Sequence, residues 1–442
     1  MLRISENRRY LVHGKGTPFF YMGDTAWCLF HRLNREEADL YLETRARQGY
    51  TVIQAVVLAE HGGLTDPNAN GDREFIDGDI RRPNEAYFRH VDYIVEKAAS
   101  LGLHIGMLPT WGDKAGVNCW GDGPAHFINE DNARYWGEFV GRRYGRQPII
   151  WILGGDRPGD CNEEIWRRMA AGIKATDGGG HLMTYHPMGG GHSSSAWFHN
   201  EDWLDFNMMQ SGHQPFLRNW MGVASDYGRV PVKPCMDGEP CYEEHPASGD
   251  FLYMNEYHVR AAAYWAMLAG AHGHTYGCHA VWQFYDPATG RKPQNRPRRR
   301  WQDSLDLPGA RQMLHVRRLF ESRPFLTRIP DQSLVRAGQT FGMGHARASR
   351  DGVKGAADAS YLMVYVGSPR EILIDTGKIA GDTIRGWWFD PRTGEATEIG
   401  VFPKQPAQAF RPPADCMDLD WLLVLDDASK GYPAPGAKPV AR

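Results

Sequence analysis

The stretch Ile149-Ile150-Trp151-Ile152-Leu153-Gly154-Gly155-Asp156 carries an unbroken apolar run, two glycines and then an acid, followed by the turn Arg157-Pro158-Gly159. An apolar run of this length, closed by turn residues, reads as a strand buried on both faces. The same arrangement returns in Lys233-Pro234-Cys235-Met236-Asp237-Gly238-Glu239, with Pro240 next. Each run sets a carboxylate at the lip of a buried strand, where it is poorly solvated yet within reach of a bound molecule. Those conditions move pKa values and permit general acid or nucleophile chemistry.

Working outward, strand-like runs occur at 18–23, 51–58, 104–108, 149–153, 182–185, 206–209, 233–236 and 272–278. Helical patterns lie between them. Asn34 is placed to cap one, with Glu36 and Glu37 in its first turn, and others cover 86–101, 131–144, 163–175, 256–269 and 308–320. The segments after the fifth and sixth strands show little clean helical pattern. Eight strands alternating with helical crossovers imply a parallel sheet, and eight units over this length suit a closed (β/α)₈ TIM barrel. No G-x-G-x-x-G follows the first strand, which argues against a dinucleotide fold.

The pattern changes near Pro330. Short β-type runs at 361–366, 372–375, 384–389 and 421–425 are separated by turns such as Asp390-Pro391-Arg392-Thr393-Gly394. That spacing predicts a small antiparallel β-sandwich. The expected domains are a barrel over 1–328 and a sandwich over 329–442, with 429–436 a frayed tail.

Composition narrows the function classes. The chain has 442 residues, 42% hydrophobic and 12% aromatic, with 15 Trp and a formal net charge of −3. It supports a large packed core and carries no strong field for nucleic acid or an anionic membrane. No apolar run approaches the ~18 residues of a membrane span. The 7 Cys are odd in number and include no C-x-x-C, so a disulfide framework is not expected. The start Met-Leu-Arg-Ile-Ser-Glu-Asn-Arg-Arg-Tyr lacks an apolar signal core, and a cytoplasmic location is expected. Oligomeric state is not legible.

In such a barrel the strand ends on one face carry the chemistry. Asp156 ends the fourth strand and Glu239 the seventh, across the mouth from one another. Two carboxyls about 5–5.5 Å apart are the requirement of a retaining glycosidase. The simpler structural reading is that Asp156 caps the next helix and Glu239 pairs with an arginine. Other strand lips are polar or aromatic too. Asp24 and Trp27 follow the first strand, His61 the second, Trp111 and Asp113 the third, His186 the fifth, Gln210 the sixth and Trp282 the eighth. Such a ring matches a sugar, whose hydroxyls need donors and acceptors and whose apolar face needs an aromatic floor. Asp24 and His186 are alternatively groups that orient the acids.

Three patterns resemble other sites. Asp66-Pro67-Asn68-Ala69-Asn70-Gly71-Asp72, ending at Asp77, partly fits a calcium loop but has Asp where the bidentate Glu belongs. His272, His274 and His279 hint at a metal, yet on the eighth strand. The basic run from Arg291 to Arg300 reads as a solvated loop, or as a surface facing an anionic substrate. The leading expectation is a carbohydrate-active hydrolase with no metal or other cofactor. The alternatives are a non-catalytic carbohydrate-binding barrel and a metal-dependent barrel hydrolase.

Several motifs together resemble a known family: Phe19-Phe20-Tyr21-Met22-Gly23-Asp24-Thr25-Ala26-Trp27, Leu108-Pro109-Thr110-Trp111-Gly112-Asp113, Trp151-Ile152-Leu153-Gly154-Gly155-Asp156-Arg157, His181-Leu182-Met183-Thr184-Tyr185-His186-Pro187 and Asp237-Gly238-Glu239-Pro240. They are similar to the DUF4038 glycosidases, which include glycoside hydrolase family 140, the apiosidases. Gly386-Trp387-Trp388-Phe389-Asp390-Pro391-Arg392-Thr393-Gly394 resembles the small β-domain that accompanies them and has carried a "collagen-binding" label. Collagen binding is not expected of so short a domain. The resemblance implies a (β/α)₈ barrel and a retaining mechanism that removes D-apiose from plant glycosides. It implies Asp156 as acid/base and Glu239 as nucleophile. Gly155-Asp156 departs from the Asn-Glu of the wider clan. A shorter acid must bring its backbone closer to the substrate, and glycines permit that.

Overall fold

The computed structural model describes residues 1–115, 126–160, 162–215, 217–247, 252–340, 342–413 and 419–437. Eight parallel strands form the barrel: β1 (Tyr21–Thr25), β2 (Val52–Val56), β3 (His104–Leu108), β4 (Ile149–Gly154), β5 (Met183–His186), β6 (Asn207–Gln210), β7 (Cys235–Asp237) and β8 (Gly273–Tyr276). They pair in the order β5-β4-β3-β2-β1-β8-β7-β6, and a short strand, His192–Ser193, lies antiparallel on β6. The ring has one gap, between β5 and β6. It is bridged by the Asp205 amide on the Met183 carbonyl (2.8 Å) and by the Thr184 hydroxyl on the Phe206 carbonyl (2.7 Å).

Strand alternation sorts the buried residues into two layers. Ile150, Ile152, Phe206, Met208 and Met236 fill the barrel interior with Tyr21 and Leu108. Trp151, Leu153, Ile105, Met107, Met183 and Tyr185 belong to the larger core that includes the helices. Fully burying one such side chain stabilises by about 1.5–3 kcal/mol. Trp27, Trp111, Tyr242 and Trp282 continue the interior cluster upward, so the packed core grades into the wall of the barrel mouth.

Helices Arg35–Arg47, Glu85–Ser100, Ala133–Tyr144 and Glu163–Thr176 cover the first half of the barrel. The first starts at the expected Asn34, whose side chain accepts from the Glu37 amide while Glu37 reaches back to the Asn34 amide. After β5 the chain makes a 3₁₀ turn, Ser194–Ala196, in place of an α-helix. After β6 a helix, Asn219–Tyr227, does form despite its weak pattern. Its Gly222 lies where a Cβ would meet the Met209 side chain at 2.5 Å, so close packing on the strand outweighs propensity.

Beyond the barrel, a six-stranded antiparallel sheet contains Tyr361–Val366, Thr383–Phe389, Ala396–Pro403 and Trp421–Asp427. It packs with a three-stranded sheet (Val335–Ala337, Ile372–Ile374, Gln408–Phe410) around Leu362, Val364, Ile374, Trp388 and Leu423. Helix Glu256–Leu268 is buried between the two parts. Its Arg260 forms a two-pronged pair with Asp420 at 3.1 and 2.7 Å, and Trp265 donates to the His345 carbonyl at 3.0 Å. The segment expected to fray is packed instead: the Tyr432 hydroxyl lies 2.8 Å from the Ser360 hydroxyl and its ring lies under Arg323. An aromatic anchor outweighs the proline- and glycine-rich sequence around it. No helix among the described residues is long and apolar enough to cross a membrane.

Candidate active site

Asp156 and Glu239 line one cavity of about 470 Å³ at the C-terminal mouth of the barrel. Three successive residues carry left-handed backbone after β4: Gly154 at φ 84°, Gly155 at 124° and Asp156 at 53°. This region is strained for residues with a Cβ, although Asp tolerates it better than most. A Cβ on Gly154 would lie 2.4 Å from the His186 carbonyl, and one on Gly155 would lie 2.7 Å from the Trp111 ring. The two glycines therefore let the chain turn hard against its neighbours and present Asp156 to the mouth. The Asp156 amide faces His186 Nδ1 at 3.5 Å, and Arg157 donates to the Asp156 carbonyl at 2.8 Å.

Glu239 is 4% exposed and closely held. Its Oε1 accepts from the Tyr242 hydroxyl and lies 3.2 Å from His213 Nε2. Its Oε2 lies 2.9 Å from His186 Nε2, in poor alignment for a linear hydrogen bond. Burial works to raise the Glu239 pKa, but the contacts and charges of His186 and His213 outweigh it, and the carboxyl is held well below the usual carboxylate range. Asp156 moves the other way. Burial raises it, the Glu239 charge raises it further, and His186 and Arg157 only partly oppose this. One acid is thus kept ionised while its neighbour is biased to hold a proton, the division of labour that acid-and-nucleophile chemistry requires.

The remaining sequence candidates separate into two groups. Trp27, Trp111, Gln210 and Trp282 line the cavity with the two acids, and His186 stands behind it, fully buried. Trp27 and Trp111 pack at 5.1 Å between ring centres. Trp111 Nε1 and Gln210 Oε1 are buried without a hydrogen-bond partner among the described residues, which leaves one donor and one acceptor available to a bound molecule. Asp24, Asp113 and His61 do not line the cavity. Asp24 is inside β1 rather than beyond it, is fully buried, and pairs with Arg45 (2.7 Å) and Tyr41 on the first long helix. Asp113 is fully buried against Lys114 Nζ at 2.8 Å. His61 lines an adjoining cleft, with its ring 5.8 Å from Trp282.

Sequence reading missed Glu60, His213 and Tyr242, all of which line the cavity. Their signal was present. Glu60 precedes His61 on the same lip, and His213 and Tyr242 each follow a candidate, Gln210 and Glu239, by three positions.

The metal-like patterns do not converge. Asn68 Oδ1 accepts from the Asn70 and Asp72 amides, and Asp77 pairs with Arg82. His272 and His274 are buried in the barrel wall, which pushes both down to about 3, while His279 points to the Asn295 carbonyl at 3.0 Å. Among the described residues no three His, Cys, Asp or Glu side chains are grouped to hold a metal. In the basic run, Arg298 and Arg299 pair with Glu244, whereas Arg291 and Lys292 line the adjoining cleft with Arg32. Cys28, Cys235, Cys241 and Cys278 are free and buried.

Residues 5–327 match the family described as "Apiosidase-like, catalytic domain". The chain belongs to the apiosidase-like family. Residues 329–426 of this apiosidase-like chain match "Putative collagen-binding domain of a collagenase". A solved glycoside hydrolase is 36% identical over 97% of each chain, with a TM-score of 0.88. A family 5 glycoside hydrolase from Bacteroides vulgatus is 34% identical over 100% of this chain and 96% of its own, also with a TM-score of 0.88. No curated protein matches the chain. The apiosidase-like protein is a glycoside hydrolase of the barrel type.

Proposed function

We propose that this protein is a retaining glycoside hydrolase that removes terminal D-apiose from plant-derived glycosides, with Asp156 as acid/base and Glu239 as nucleophile. The observation that carries the mechanism is the opposed setting of the two carboxyls in one cavity, one held ionised by histidines and the other raised by burial and by its neighbour. In the first step Glu239 forms a bond to the anomeric carbon as the bond to the leaving oxygen breaks, and Asp156 gives that oxygen its proton. In the second, Asp156 takes a proton from water, the water oxygen bonds to the anomeric carbon, and Glu239 leaves as a carboxylate. The histidine contacts oppose protonation of Glu239, and the water-poor barrel mouth strengthens every charge interaction within it.

Apiose as the sugar rests on the apiosidase-like family match. The same reading divides the chain into a catalytic barrel, 1–328, and a β-domain, 329–442, that buttresses it. The buried free thiols support action in the cytoplasm. The test is hydrolysis of an apiosylated flavonoid, with the released sugar identified and its first-formed anomer followed by NMR. Asp156→Asn is expected to lose poor leaving groups and spare activated ones, and Glu239→Gln to lose both. Equal loss on all leaving groups in both variants, or an inverted product, would refute the roles. Release of another sugar would redirect the substrate alone.

A further inference from the structure

Glu60 is a third acid in the cavity, and neither step of the proposed mechanism uses it. Its place is set by a tight turn after β2: a Cβ on Gly63 would lie 2.2 Å from the Ala59 carbonyl. Lys114 Nζ approaches the Glu60 carbonyl at 3.4 Å, but its charge is paired with Asp113 at 2.8 Å. The Glu60 carboxyl faces His61, with Oε2 3.3 Å from Nε2. Among the described residues no lysine or arginine nitrogen lies within 4.0 Å of it; the other charged groups around it are Asp156, Arg157, Asp113 and Lys114. Its side chain is 18% exposed, and it shares the cavity with the rings of Trp27, Trp111 and Trp282.

We propose that Glu60 is a specificity-determining residue of this cavity, binding one hydroxyl of the sugar through a protonated carboxyl whose O–H donates and whose C=O accepts. The inference rests on the reading of the cavity as a glycosidase site. A carboxyl that faces a histidine but no lysine or arginine among the described residues, set beside two other acids and mostly buried, is more stable neutral than ionised. Burial first, then the charges of Asp156 and Asp113, push its pKa up to about 8 against the opposing effect of Lys114 and Arg157. Below that value the group both donates and accepts. As pH rises through it, the donor is lost and a negative charge appears beside Asp156. Glutamine reproduces the neutral acid in size and in hydrogen-bonding capacity and does not titrate.

The test uses wild type, Glu60→Gln and Glu60→Ala on a dinitrophenyl D-apioside, whose leaving group departs without a proton from Asp156. At pH 6–7, Glu60→Gln is expected to keep kcat/KM within a few-fold, whereas Glu60→Ala falls on the order of 10²-fold. Above about pH 8 wild type is expected to decline and Glu60→Gln to hold its rate. Melting temperatures of all three should agree within a few degrees. Wild-type kcat/KM in Glu60→Ala, a shared alkaline decline in wild type and Glu60→Gln, or a Glu60→Gln variant as inactive as Glu239→Gln would each overturn the proposal while leaving the hydrolase reading intact. Absence of turnover of the apioside in wild type would remove the apiose reading and this proposal with it, while the hydrolase assignment stands.

Discussion

Replacing Gly155 by alanine tests whether the turn after β4 is what presents Asp156. The added methyl would sit 2.7 and 2.8 Å from two Trp111 ring carbons and 2.9 Å from the Gly112 nitrogen, on a residue at φ 124°. Ordinary carbon contacts are about 3.5–4.0 Å, so the turn or the ring must yield by about 1 Å. Trp111 is hemmed in by Trp27 at 5.1 Å and His186 at 5.7 Å, so the turn should move instead. Backbone strain costs about 1–3 kcal/mol, and overpacking costs a further 1–3 or so. The expected loss of stability is therefore about 2–6 kcal/mol. An acid displaced by about 1 Å is expected to lose on the order of 10²-fold in rate. Gly178→Ala is the control. Gly178 has φ 79° but nothing within 4 Å of the new methyl, so only backbone strain of about 1 kcal/mol applies and activity should be unchanged. The assay is kcat/KM on an aryl glycoside together with chemical denaturation. Wild-type kcat/KM in Gly155→Ala, or an equal loss in Gly178→Ala, would show that the turn is not the determinant.

Removing either histidine that holds Glu239 should make the enzyme fail at a higher pH on acidification. His186→Ala and His213→Ala each leave burial opposed by one histidine instead of two, with Tyr242 still in place, so the Glu239 pKa rises and the acid limb of kcat/KM moves upward; an unmoved limb would contradict the assignment. Arg260→Ala leaves Asp420 fully buried beside Tyr365 and the more distant Arg392, and should cost about 3 kcal/mol in denaturant unfolding with kcat/KM retained. A loss below about 1 kcal/mol would mean the helix–sandwich contact is not carried by this pair. Arg45→Met strands the buried Asp24 charge and should destabilise by about 3–5 kcal/mol; a stable variant with a selective rise in KM would return Asp24 to the substrate.

Much of this was legible in the chain. Apolar runs in alternation with helical patterns gave the barrel, because the period of hydrophobicity is set locally by strand and helix geometry. Gly154-Gly155-Asp156 and Gly238-Glu239 announced acids at strand ends, since glycine before a polar residue marks a place where backbone must approach closely. What lay out of reach was which way a side chain near a strand end faces. Asp24 sits one position inside β1 and turns outward to Arg45, a residue of the first long helix, so the same acid that looks catalytic in sequence is a core ion pair. The opposed settings of Asp156 and Glu239, and the place of Glu60 beside them, come from groups at or just beyond the ends of β2, β4, β5, β6 and β7 meeting in one poorly solvated mouth. The chain alone determined which acids are available. Only the closed barrel decided their protonation, because a charge responds to every neighbour within a few ångströms and sequence distance says nothing of those.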